Sequence, residues 1–437
     1  MSYRTGSPTA AREMLAWIDD QHDRMLETVR AWAAISSWSL DPVGLARMRE
    51  AVAADFAPLG DMRRVAVAPR IALDSHGRET ATPLADALSL TRPEAARPDA
   101  LRVLLAIHMD TVYPPPHSES SDREPEVMLA RERDRQILRG PGVADAKGGL
   151  AVMLVALEAI ERFGHGERLA WEVLVNADEE LGSPGSAALL AAAAARHDVG
   201  LVFEPALDDT GTLAAARKGS GNFQVVVRGR AAHAGRRFAE GRNAVVAAAH
   251  LATALAALND EAAAAGRDLT VNVAAVRGGT AFNVVPDLAI IDVNVRVATA
   301  ADADWVAARV AGVISTFHTS HAHRDGITAT LHGGFHCPPK PLDPPMQRLL
   351  DHAVACGAQH GLAITSAATG GACDGNKLAA AGLPTLDTLG VRGGSIHSPD
   401  EYLIVDSLTE RAKLTALMLA GLGDWTRNQP REAGPCS

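Results

Sequence analysis

Three apolar runs in this chain each lead straight into residues that can bind a metal ion, and that repetition restricts the fold more than any other feature. Val103 to Ile107 leads into His108 and Asp110, Leu169 to Val175 into Asn176-Ala177-Asp178-Glu179-Glu180, and Gly200 to Phe203 into Glu204. Short apolar runs alternating with helical patterns are the buried strands of a largely parallel sheet. Open α/β sheets build their sites at the carboxyl ends of such strands. Two loop segments add to the set: Asp145 lies in Gly140-Pro141-Gly142-Val143-Ala144-Asp145-Ala146-Lys147-Gly148-Gly149, and His397 in Gly393-Gly394-Ser395-Ile396-His397-Ser398-Pro399. Together these residues can supply the ligands of two metal ions.

The remainder of the chain fits such an α/β architecture. At 437 residues it exceeds the usual span of one core, and two domains are the simplest division. From Gly149 the pattern alternates helix (Leu150 to Phe163), strand (Leu169 to Asn176), helix (Ser186 to Ala195) and strand (Val199 to Phe203), which predicts a mixed, largely parallel sheet flanked by helices. Upstream, Thr9 to Ala34 reads as one amphipathic helix, Arg64 to Leu73 and Leu101 to Ile107 as strands, and Asp74 to Asp99 as a surface loop or insertion.

After Glu204 the order becomes β-α-β-β-α-β, with strands near 222–227, 269–276, 288–297 and 327–331 and helices near 243–258 and 301–317. This is the split motif of a ferredoxin-like sandwich. An inserted α+β domain is therefore expected at 214–332, with 1–213 and 333–437 forming the main domain. Helices near 346–360 and 376–381, a strand near 385–389 and a helix near 407–422 complete the main domain.

Charge and composition exclude several function classes. A formal net charge of -10 argues against nucleic acid as a partner, because phosphate binding needs a basic surface. Cys337, Cys356, Cys373 and Cys436 lack the paired spacing of zinc knuckles or disulfide frameworks, so free thiols in a reducing compartment are expected. Met1 to Asp20 has no basic segment followed by an apolar one, and no run is apolar for long enough to span a bilayer. The expected setting is cytoplasmic, with no membrane partner.

Two neighbouring metal ions can activate a water and polarise a carbonyl together, which suits amide hydrolysis. Asp145 is the candidate bridge, since a carboxylate has two oxygens and the flanking glycines let the backbone approach closely. His108 and Glu204 can complete one ion, Glu180 and His397 the other. Imidazole and carboxylate ligands suit zinc, and also accept cobalt or manganese. Asp110, two residues beyond His108, points the same way on a strand and can orient its imidazole. Glu179 has no metal role and is placed to act as general base. His233, in Gly229-Arg230-Ala231-Ala232-His233-Ala234-Gly235, can donate to an oxyanion. It must reach the metals from a separate domain, by closure or from a partner subunit.

Each residue alone has a plainer structural explanation as a strand terminator or turn residue. Coincidence at three strand ends and two loops is a poor account of all of them. His117, His332 and His336 are assigned structural roles. A phosphate cradle at Gly140–Gly149 fails on spacing, because Lys147 precedes Gly148-Gly149 and no Ser or Thr follows. A catalytically dead scaffold would be expected to have lost Glu179 or a ligand, and none is missing.

With His108-Met109-Asp110-Thr111-Val112, Gly140 to Gly149, Asp178-Glu179-Glu180-Leu181-Gly182-Ser183, Phe203-Glu204-Pro205, His233-Ala234-Gly235, Ala281-Phe282-Asn283-Val284-Val285-Pro286 and Ile396-His397-Ser398 in this order, the chain resembles the M20 metallopeptidase family over nearly its whole length. The resemblance implies a two-zinc, exopeptidase-like catalytic domain and an inserted lid that mediates dimerisation. It further implies that His233 reaches the other subunit's active site and that a cis peptide follows Asp145.

Within the family, Glu204 is similar to the carboxypeptidase and deacylase branches, whereas dipeptidase and tripeptidase branches usually carry Asp there. Asn283 and Arg296 match lid positions near the substrate's carboxylate end in the carboxypeptidase G2 type, where a bidentate Arg suits that group. The departure is at Leu331-His332-Gly333-Gly334-Phe335, which lacks an arginine to grip a glutamate carboxylate. Arg236, Arg237 and Arg392 are alternative anchors. The resulting expectation is a dimeric, two-zinc amidohydrolase of carboxypeptidase G2 type, with an N-acyl amino acid deacylase as the alternative; its partner is a small N-acyl amino acid or short peptide.

Overall fold

A computed structural model of the chain describes residues 8–92, 99–115, 126–132 and 134–423. His117 and Cys436 lie outside the described residues. The other three cysteines are buried and free.

The apolar runs form a six-stranded sheet, in the order Arg63–Val65, Ala87–Thr91, Leu169–Asn176, Leu101–His108, Val199–Val202 and Thr385–Leu386. The two pairings at the first edge are antiparallel and the other three parallel, giving the mixed, largely parallel sheet that the alternating pattern predicts. Alternate side chains enter two apolar layers. Val103, Leu105 and Ile107 join a core with the helices Gly149–Arg162 and Ser407–Leu422, while Leu104 and Ala106 face Leu190 of the Ala187–Arg196 helix and Leu378.

A second, four-stranded antiparallel sheet runs in the order Leu269–Gly278, Leu288–Val297, Gly219–Arg228 and Thr328–Cys337. Helices Ala244–Ala256 and Ala300–Asp325 pack on it. Its strand order is that of the split β-α-β-β-α-β motif. Phe223, Val225, Leu251, Ile291 and Val310 belong to an apolar cluster separate from those of the first sheet.

The N-terminal third differs from the expected pattern. Thr9 to Ala34 is two helices, Pro8–Asp19 and His22–Ala34. The break lets Met14 and Ile18 on the first and Met25, Val29 and Trp32 on the second all bury in the core. Arg64 to Leu73 is interrupted at Pro69, which has no N–H for a ladder, and leaves two strands, Arg63–Val65 and Arg70–Leu73. Within the expected surface loop Asp74–Asp99, Ala87–Thr91 is a strand of the main sheet. It has no long apolar run to announce it.

A further antiparallel sheet, Gly393–Gly394, Tyr402–Ile404, Arg135–Arg139 and Met128–Glu132, was not legible in the sequence. It ties the loop carrying His397 to the segment that leads into Asp145, two regions about 250 residues apart along the chain.

Candidate metal centre

His108 pairs level with Asn176 across two neighbouring parallel strands, and Val202 ends the next one beside Ala106. The loops that follow therefore open together on one edge of the sheet. Glu179 and Glu180 start a 3₁₀ turn, Glu179–Leu181, just past the second strand. Asp145 leaves the helical backbone region (φ -115°, ψ 87°) ahead of the Gly149–Arg162 helix, and its peptide bond to Ala146 is cis. Gly149 carries no side chain where a Cβ would meet the Phe203 carbonyl oxygen at 2.0 Å, so this glycine permits the close approach of the two strand-end loops.

Asp145 stands between two imidazoles. Its Oδ1 lies 3.1 Å from His108 Nε2 and its Oδ2 3.3 Å from His397 Nε2. On the His397 side, Glu180 Oε2 lies 3.1 Å from Nε2; on the His108 side, Glu204 Oε1 lies 3.8 Å from Nε2. Ligand atoms of His108, Asp145 and Glu180 all fall within 4.8 Å of one another. Glu179 and Glu180 line a cavity of about 370 Å³ together with Asp145, Glu204 and His397.

Four carboxylates thus converge on two imidazoles, and the electrostatics follow. Hydrogen bonds with Asp145 and Glu180 raise His397 to about 10. Burial opposes the charged form of His108, yet hydrogen bonds with Asp110 and Asp145 and the charge of Glu204 hold it well above the usual imidazole range. Burial raises Glu180 to about 7. Glu179 is pushed well above the usual carboxyl range by burial and then by the charge of Glu204. Asp145 goes the other way, because its bonds to both imidazoles outweigh its burial. Glu204 Oε1 is buried with no hydrogen-bond partner, a costly state that a cation relieves. Donor types, grouping and this orphaned oxygen all fit divalent metal.

The surrounding residues hold this arrangement. The Asp110 main-chain oxygen lies 3.0 Å from His108 Nδ1 and its Oδ1 3.4 Å from the same nitrogen. The Asp110 carboxylate also accepts the N–H groups of Glu179 and Glu180, each at 3.2 Å, and the Ser39 hydroxyl at 2.7 Å. One side chain therefore orients both an imidazole and the turn bearing two glutamates. Glu401 does the same for Asp145: fully buried, it accepts from the N–H groups of Gly142, Ala144 and Asp145 and from the Tyr113 hydroxyl. Nothing in the sequence marks Glu401, which lies in an ordinary polar stretch past His397.

Other candidates separate. Arg296 lines a second cavity of about 330 Å³ with Glu179, Glu180 and His397, and its Nε donates to Asn294. His336, assigned a structural role, lines the same cavity, and burial with the Lys377 and Arg296 charges lowers it to about 4. His332 is outside it, 3.3 Å from Glu79. Arg392 lies apart from these cavities: its guanidinium is engaged by Glu410 at 3.1 Å and by the Asp209 carbonyl at 3.1 Å, and it lines neither of them. Its place beside the His397 loop in sequence did not bring it to the metal ligands.

His233 and Asn283 are exposed on a small antiparallel ribbon, Ala232–His233 with Val284–Val285, and line neither cavity. Arg236 and Arg237 are exposed beside them. Among the described residues no helix is long and apolar enough to cross a membrane.

Residues 104–420 match the family described as peptidase family M20/M25/M40. The chain belongs to this family. As an M20 protein it is a metal-dependent hydrolase. It is similar to carboxypeptidase G2 from Pseudomonas sp. (strain RS-16), 30% identical over 328 residues that cover 74% of each chain. It is also similar to the succinyl-diaminopimelate desuccinylase of Acidovorax ebreus, 31% identical over 274 residues, covering 60% of this chain and 67% of the relative. The M20 fold is shared with the dipeptidase Dug1p of Saccharomyces cerevisiae (TM-score 0.70, 14% identity, covering 97% of this chain and 99% of that one). It is shared also with the M20 metallo-carboxypeptidase Sso-CP2 of Sulfolobus solfataricus (TM-score 0.65, 14% identity, 91% and 99%).

Proposed function

We propose that this M20 chain is a two-zinc amidohydrolase of carboxypeptidase G2 type, which releases an amino acid from a short peptide or N-acyl amino acid. The observation that carries this is the Asp145 carboxylate, with one oxygen turned to each of His108 and His397 and a glutamate beside each imidazole. His108, Asp145 and Glu204 would hold one ion and His397, Asp145 and Glu180 the other, with zinc preferred and cobalt or manganese accepted. Bound there, the ions supply Lewis-acid polarisation of an amide carbonyl and of a water.

Glu179, free of ligand duty, takes the proton of the attacking water and hands it to the leaving amine. Its burial beside Glu204 favours the protonated form and so helps the second half of that relay. Asp110 keeps His108 and the Glu179–Glu180 turn in register. Arg296, with no ion pair among the described residues, receives the carboxylate of the departing amino acid. Residues 214–332 act as a lid and dimerisation domain in a cytoplasmic homodimer, and the exposed His233, with Asn283 on the same ribbon, serves the partner's site as oxyanion donor.

Metal content by mass spectrometry, with a ninhydrin screen of N-acyl amino acids and peptides with and without chelator, tests this. About two zinc ions per chain with chelator-sensitive release of amino acid is expected. Absence of bound metal together with absence of release after zinc or cobalt addition overturns it. The desuccinylase relatives support a deacylase as the alternative; release from acyl amino acids but not from peptides would select it.

A further inference from the structure

The cavity of about 330 Å³ that leads from the metal ligands toward the second sheet has a wall that the proposed reaction does not use. Glu180 and His397 belong to the metals, Glu179 to the proton relay, and Arg296 to the main-chain carboxylate of the released amino acid. The other cation there, Lys377, is spent within the protein. Its Nζ lies 2.9 Å from Asp374 Oδ1 and donates to Ser183 Oγ at 3.2 Å, with all three residues buried. What remains of the polar wall is uncharged: Ser220, Asn222, Asn294, His336 and the Cys337 thiol. No cation is left over for a second carboxylate.

The backbone brings His336 to this wall. Cys337 pairs with Ser220 and Phe335 with Gly221, so His336 is an extra residue without a partner on the neighbouring strand, a β-bulge. Phe335 packs edge-on against Phe223, with 5.7 Å between ring centroids, and ties the strand before the bulge to the apolar cluster of the second sheet. Room for the imidazole comes from Gly182, at the end of the Glu179–Leu181 turn, where a Cβ would meet His336 Cδ2 at 2.8 Å. The ring makes no hydrogen bond among the described residues. Lowered to about 4, it is neutral at neutral pH. A neutral imidazole carries one N–H donor and one acceptor nitrogen.

We infer that His336 is a specificity-determining residue that reads the side chain of the released amino acid, and that this side chain ends in a carboxamide rather than a carboxylate. The inference rests on the amidohydrolase function proposed above, with Arg296 on the main-chain carboxylate. A carboxamide both accepts and donates, so one of its groups bonds to the imidazole and the other to Ser220 or Asn222. An acidic side chain of equal length has no donor, and it buries a charge that nothing on the wall neutralises. An apolar one leaves the polar wall unsatisfied.

The test measures kcat/KM of the zinc-loaded wild-type enzyme on glutamine, glutamate, asparagine, aspartate and leucine, all carrying one acyl group, the best in the ninhydrin screen. It is repeated with His336→Ala and His336→Arg. In at least one pair the amide should exceed its acid by about tenfold or more, and exceed leucine as well. His336→Ala should bring that ratio toward parity, and His336→Arg, which adds the missing cation, should favour the acid. Acids as fast as amides in both pairs, or leucine faster than either amide, overturn the inference on the wild type alone, whether or not the variants fold. An undiminished ratio in a folded His336→Ala also overturns it. Should no compound release its amino acid, the amidohydrolase function itself fails. Calorimetry with free glutamine and free glutamate then still reads the wall: tighter glutamine, weakened in His336→Ala, supports the inference, while equal, absent or tighter glutamate binding overturns it.

Discussion

The carboxyl edge of the main sheet and the ribbon carrying His233 are built on opposite terms. At the sheet edge the loops that carry the functional side chains are fixed by buried carboxylates: Asp110 binds two N–H groups of the Glu179–Glu180 turn, and Glu401 binds three of the Asp145 loop. On the ribbon, His233 is exposed and its ring accepts only the nearby Gly235 N–H at 3.2 Å, while Phe282 beside Asn283 is wholly exposed. The lesson is that the metal centre is preorganised within one chain, because a strand-edge site can be held rigid by backbone N–H groups. Under the proposed function, the donor on the ribbon acts only when another surface meets it.

The sharpest way to break this contrast is Glu179→Gln. Turnover should fall by roughly 10³-fold or more, with zinc content and melting temperature kept, and substantial residual activity would remove Glu179 from the proton relay. His233→Ala should lower kcat by about 10²-fold while changing stability by no more than about 0.5 kcal/mol, since the side chain is exposed. A large loss of melting temperature instead would mean that the ribbon is structural.

Asp110→Asn probes the sheet edge without touching a ligand. Zinc affinity, measured by competition with a chelator, should weaken about 10- to 100-fold; an unchanged affinity would show that Asp110 holds only the turn.

The pH dependence tests the same edge without a substitution. Glu180, raised to about 7, and His397, raised to about 10, must both give up protons to a metal. Zinc affinity should therefore climb between about pH 6 and 8, by about tenfold per unit for each proton displaced. The stability of chelated protein should move oppositely. A carboxyl whose folded value is raised stabilises the fold below its ordinary 4.5 and loses that contribution as pH rises through about 7. A flat affinity profile would contradict the coupling of Glu180 to the site.

Much of the centre was legible because its ligands terminate apolar runs. His108, Glu179, Glu180 and Glu204 each follow a run whose burial on both faces leaves no other place for it than the middle of a sheet. Ala87–Thr91 was not legible, since a short antiparallel strand toward the sheet edge needs no apolar run of its own. Arg392, adjacent in sequence to the His397 loop, has its guanidinium turned to Glu410, a contact that sequence proximity does not reveal.

The sequence by itself determined the α/β class, the strand-end position of the ligand-type residues and membership of a hydrolase family, because hydrophobic periodicity and motif order are local properties of the chain. Tertiary structure alone decided that Glu401 holds the Asp145 loop, that Asp110 also binds the Glu179–Glu180 turn, and that Arg217 and Lys340 share Asp387. These depend on residues more than 250 positions apart meeting in a buried space, where an unpaired charge or N–H is costly enough to dictate its partner, and no local pattern records that cost.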